Sequence, residues 1–122
     1  MNACLLLAGA KQLLLAGSAF TLAWSQPTDT SRWEEDWNVG LSGFQLVETR
    51  VHGEGIPPPD GAVREGDVWR YHPALAFIED RLLLARPGAK PGNWQICEQG
   101  SCTPIPESAT ANGATAILVP CP

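Results

Sequence analysis

The chain has 122 residues and a formal net charge of -5, with 8 Lys+Arg against 13 Asp+Glu. That is room for one small domain, and too little for a barrel enzyme or a full dinucleotide-binding domain. So few basic residues argue against a nucleic-acid binder, which needs clustered Lys/Arg, and against docking on anionic lipid.

Residues 1–25 read as a removable export signal. Lys11 and the terminal amine precede an uncharged run from Leu13 to Trp24. Such a run suits a signal's apolar region of about 7–15 residues and falls short of the about 20 needed to span a bilayer. Ala23-Trp24-Ser25 places small side chains where a peptidase needs them and predicts a cut before Gln26. Thr21-Leu22-Ala23 offers a second site. Left uncleaved, the segment would anchor the protein to a membrane. Cys4 stands before the apolar run, too early for lipid modification, and leaves with the signal on this reading.

Residues 26–43 read as a polar leader followed by a short helix. Ser31-Arg32-Trp33-Glu34 has the form of a capping box, in which Ser31 bonds an amide of the first turn and Glu34 reaches back. Glu34, Glu35 and Asp36 suit the positive end of a helix dipole. Trp33 and Trp37, four apart, would share a helical face able to dock on a partner. The expected helix covers residues 32–39, with Gly40 ending it.

Residues 44–122 read as one small β-rich domain. From Phe44 to His52 the chain alternates. Phe44, Leu46, Glu48, Arg50 and His52 point one way, while Gln45, Val47, Thr49 and Val51 point the other. The first face begins apolar and turns charged. A loop rich in Pro and Gly follows to Gly61. Ala62–Arg64 and Val68–Tyr71 read as a hairpin turning at Glu65-Gly66. Residues 73–86 admit a helix, which would give an α+β fold. They also admit two strands, Ala74–Ile78 and Leu82–Ala85, separated by charge. Strands are preferred, because Glu79, Asp80 and Arg81 would spoil a helical stripe. Pro87–Gly92 is a turn. Trp94–Cys97 and Cys102–Ile105 form a second hairpin, and Ala114–Val119 a last strand. With 12 Gly and 11 Pro, turn formers are well above their usual share of about 12%. The expected fold is a mainly β, turn-rich antiparallel domain with one short N-terminal helix.

Export implies an oxidising compartment. Cys97 and Cys102 flank a loop containing Gly100 and would face each other across a hairpin, within disulfide reach. Pairing of either one with Cys121 stays open, and one cysteine is left over in every case.

Catalytic signatures are absent: the sequence has no Gly-x-Ser-x-Gly, His-Glu-x-x-His, Walker loop or Gly-x-Gly-x-x-Gly. The nearest thing to a metal site is His52 and Glu54, two apart on extended chain, which Asp60 or His72 would complete. Trp69 and Tyr71 share a strand face, with Trp94 on a nearby hairpin. Exposed, they would form a platform for a sugar or a proline-rich peptide; buried, they are core. The adjacent acids Glu79 and Asp80 read as solvated surface.

The sequence therefore points to an exported, periplasmic or secreted binding or accessory module with no enzymatic activity. Its partner would be a protein or a small ligand, with no resident cofactor. A metal-binding accessory protein using His52 and Glu54 is the alternative. A thiol-dependent enzyme using the unpaired cysteine is the third.

Overall fold

A computed structural model describes residues 2–7, 10–14, 17–25, 31–40, 43–53, 61–72, 78–79, 81–84, 92–105 and 116–121. Among them every regular element is a strand. In chain order these are β1 (Asn2–Leu7), β2 (Ala10–Leu14), β3 (Ala19–Ser25), β4 (Arg32–Gly40), β5 (Gly43–His52) and β6 (Val63–Glu65). Then come β7 (Val68–Tyr71), β8 (Ile78–Glu79), β9 (Leu82–Leu84), β10 (Gly92–Glu98), β11 (Ser101–Pro104) and β12 (Ala116–Cys121). All pairs are antiparallel and form two sheets. The smaller has the order β2-β1-β12-β9; the larger runs β11-β10-β3-β4-β5-β7-β6, with β8 paired to the other end of β5. The mainly β expectation holds.

The expected helix over 32–39 does not form. Those residues are β4, paired with β3 on one side and β5 on the other. The capping-box pattern is overridden by two ladders that only the long-range fold supplies. Trp33 and Trp37 still share a face, because four is an even number and a strand repeats every two residues. The helix alternative for 73–86 is also corrected at its described positions, which are strands at Ile78–Glu79 and Leu82–Leu84.

In β5 the two-faced pattern read from the sequence changes phase. Phe44 and Leu46 are buried, Val47 is 39% exposed, and then Thr49 and Val51 are buried. The register of β4 and β5 slips between Asp36 and Trp37, so β5 carries an extra residue at this point. Such a bulge moves the apolar set to the opposite parity. Leu46 and Val51 can thus both point inward although they are five apart.

Both expected hairpins form, but with tighter turns than their spacing suggested. Glu65 pairs with Val68, so the first turns at Gly66-Asp67, one residue later than expected, with Gly66 at φ 64°. The β10–β11 ladder runs on past the cysteines to Glu98–Ser101, which leaves a two-residue turn. Gln99 and Gly100 both have positive φ, 50° and 82°, as a type I′ turn requires.

The sheets pack face to face around one core. Ala3, Leu5, Leu82 and Leu118 come from the small sheet. Phe20, Leu22, Trp37, Val39, Phe44, Leu46 and Ile96 come from the large one, with Ile105 just beyond β11. Phe20 and Phe44 meet edge to face at 5.8 Å. Pro120, which has no N–H to give, lies on β12 beyond the reach of β9, which pairs only with Ala116–Leu118.

All four cysteines are paired. Cys97–Cys102 closes the hairpin as expected, with its Cα atoms 4.0 Å apart. The leftover cysteine is corrected: Cys121 bonds Cys4, joining β12 to β1 across 117 positions. The whole chain thus holds no free thiol, and the nucleophile of the thiol-enzyme reading is gone.

Candidate functional site

The outward face of the large sheet carries a charged network that the strand register assembles. Thr21, Asp36 and Glu48 fall in one cross-strand row; Glu34, Arg50 and Arg70 fall in the next. Directly opposite neighbours include two like-charged pairs, Asp36 with Glu48 and Arg50 with Arg70. Like charges so placed repel. The side chains relieve this by reaching diagonally. Arg50 grips Asp36 with both terminal nitrogens and reaches Glu34 with Nε at 3.3 Å. Arg70 turns to Glu48 at 3.0 Å and Glu65 at 2.9 Å. Thr21 Oγ1 donates to Asp36 at 2.7 Å, and Arg32 donates to Gln95 at 3.0 Å.

Burial works against the charges of Glu34 and Asp36, but their partners outweigh it. His52 and Arg50 hold the Glu34 carboxyl below its ordinary value; Arg50 and Thr21 do the same for Asp36. Asp36 and Glu34 in turn raise Arg50, against the opposing effect of burial. Glu35, one residue away on the inward face, goes the other way. Burial raises its carboxyl, only partly offset by the Trp37 Nε1–H that donates to it at 3.3 Å.

Above this face runs an open groove of about 580 Å³. Thr21, Glu34, Asp36 and Arg50 line it from the sheet, and Cys97 and Glu98 from the β10–β11 hairpin. The disulfide at Cys97–Cys102 fixes the hairpin that makes this wall. The groove is not legible in the sequence: the local pattern puts Glu34 and Asp36 on a helix and Thr21 in a signal, and only Arg50, Val47, Cys97 and Cys102 of its lining fall on expected strands.

The predicted metal residues do not converge among the described positions. His52 Nε2 contacts the Glu34 carboxylate. His72 Nδ1 contacts the Val47 carbonyl at 3.0 Å, near the far end of the β5–β7 pairing from His52. Glu54 and Asp60 lie outside the described residues. No group of three or more His, Cys, Asp or Glu able to hold a metal ion occurs among the described residues.

The predicted aromatics divide. Trp69 and Tyr71 do share the inward face of β7, both half-buried. Trp94 instead stacks on Trp24 at 4.9 Å, and Trp24 on Trp33 at 6.2 Å. Val51 separates Trp33 from Trp69 in the same cross-strand row. Arg64 lies over the Trp69 ring at 5.5 Å. Trp24 and Trp94 pack against the core, so this row is in part structural. Glu79 pairs with Phe44 on β8, while Asp80 lies outside the described residues.

No protein-family model matches the chain, and neither does any curated protein or solved structure.

Proposed function

We propose that the protein is an exported binding or accessory module whose site is the groove above the charged network of the large sheet. The observation that carries this is the groove itself, lined by donors and acceptors already held in place by one another. Preorganised polar groups in a concavity suit recognition of a small polar ligand, because little ordering is left to do on binding. The same network suits catalysis poorly. Glu34 and Asp36 stay ionised at neutral pH and so make weak general acids. Two disulfides fit an oxidising compartment, and no helix among the described residues is long and apolar enough to cross a membrane.

The test is a thermal-shift screen of the oxidised full chain against free amino acids, polyamines, and mono- and disaccharides. Asn38 on β4 also lines the groove. A ligand that raises the melting point of the wild type but not of Thr21→Val or Asn38→Ala supports the groove. Hits that both variants leave untouched would move the site elsewhere. If the Trp24–Trp33–Trp94 row is that place, a hit will also change tryptophan fluorescence.

A further inference from the structure

We propose that residues 2–25 are kept in the working protein, where they supply β1, β2 and β3, locked in by the Cys4–Cys121 disulfide. This rests on the compartment argued above, since the bond needs an oxidising one. It makes the uncut chain the form that carries the groove.

β3 is an interior strand. Between Ala19 and Ser25 it pairs with β4 at seven consecutive positions, and its other edge pairs with β10. A cut after Ser25 would take it away and divide the large sheet between β10 and β4. The backbone donors and acceptors it satisfies on both sides would be orphaned, and each such buried loss is costly. Its side chains Phe20, Leu22 and Ala23 are buried, and Phe20 sits against Phe44. β1 is equally embedded. It pairs with β12 along its whole length, buries Ala3 and Leu5, and carries Cys4, itself 3% exposed.

The groove depends on the same segment. Ala19, Phe20 and Thr21 line it, and Thr21 holds Asp36 in place. Without β3 the hairpin wall would no longer adjoin the charged floor. Part of the signal-like appearance has a structural origin: Ala19–Ser25, seven residues carrying Phe20, Leu22 and Ala23, has the length and apolar content of a buried strand. Gly17 and Ser18 form the bend before β3. Lys11 falls on β2, an edge strand of the small sheet.

The test uses the full chain, delivered behind a separate cleavable leader into an oxidising compartment. Intact mass under non-reducing conditions, alkylation and disulfide mapping are read on the purified product. The expected result is a chain retaining residues 2–25, with no alkylatable thiol and a peptide pair linked through Cys4 and Cys121. A folded, soluble product beginning at Gln26, with Cys121 open to alkylation, overturns the proposal. Phe20→Ala in the same full chain gives a second readout. If the segment is core, the melting midpoint falls by on the order of 10 °C or more, or the fold is lost. If it is a discarded leader, the recovered protein melts as the wild type does. Neither readout involves a ligand, so failure of the groove reading leaves both intact.

Discussion

Arg50 holds Asp36 as a fork, Nη1 to Oδ2 at 2.6 Å and Nη2 to Oδ1 at 2.8 Å, from strand to neighbouring strand. Two parallel charge-assisted bonds fix the guanidinium plane as well as its distance. Arg50 also reaches Glu34 and Glu48, so one cation serves three carboxylates. Arg50→Met leaves those carboxylates facing one another with their main counter-charge gone. Losing hydrogen bonds to a charged group at this half-buried position costs about 1.5–3 kcal/mol. Urea denaturation should show the drop in midpoint with an unchanged slope.

Acidity should destabilise the fold through the same residues. Glu34 and Asp36 have carboxyls depressed below 4.5 and 3.8, so the folded state disfavours their protonation. Their contribution is fully present above those ordinary values and is lost as pH falls through the depressed ones. Stability of the wild type should therefore decline from about pH 4.5 downward. Arg50→Met should flatten the part of that decline due to Asp36, where Arg50 is the leading cause of the depression, and leave most of the Glu34 part, which His52 supports first.

Glu35 runs in the opposite sense. Burial raises its carboxyl above 4.5, so the folded state binds that proton more tightly than the unfolded chain does. The stabilisation this brings is present at low pH and is lost as pH rises through the raised value. At pH 7 the ionised Glu35 is a liability. Glu35→Gln removes the charge and keeps an oxygen for the Trp37 indole N–H. Its melting midpoint at neutral pH should exceed the wild type's, with the advantage vanishing in acid.

The two disulfides should differ in weight. In the chain-entropy account a ring closed across five positions stabilises by about 2 kcal/mol, and one closed across 117 by about 5 kcal/mol. Cys97→Ser with Cys102→Ser should leave a folded protein with a looser groove wall. Cys4→Ser with Cys121→Ser should cost more than twice as much in chemical denaturation.

A metal at His52 would have to displace Glu34 from Nε2 or share it. Zinc and copper titrations followed by calorimetry are expected to show no stoichiometric uptake. Uptake that disappears with His52→Ala would instead establish the metal-binding alternative.

Much of the architecture was legible because it is local. The Cys97–Cys102 hairpin, the β6–β7 turn at Gly66 and the alternation along β5 each need only a few neighbouring residues to specify them. Even the change of character along β5 was visible; what it meant was not. The switch from Leu46 to Thr49 as buried positions is a bulge against Trp37, and a bulge is a relation between two strands. The missed helix has a long-range cause. Ser31-Arg32-Trp33-Glu34 is a sound helix start in isolation, but Arg32–Gly40 is a strand because it pairs with β3 on one side and β5 on the other. The charged floor was hidden for the same reason. Thr21, Asp36 and Arg50 lie 15 and 14 positions apart in sequence and within hydrogen-bonding distance in space.

The bridge from Cys4 to Cys121 also closes the chain between them into a covalent loop. Tension applied from outside that loop passes along the sulfur–sulfur bond and bypasses the strands within it. Pulled in this way, the oxidised molecule should yield almost no length between Cys4 and Cys121 until that bond is broken. Chemical reduction would then release the extension of more than a hundred residues at once.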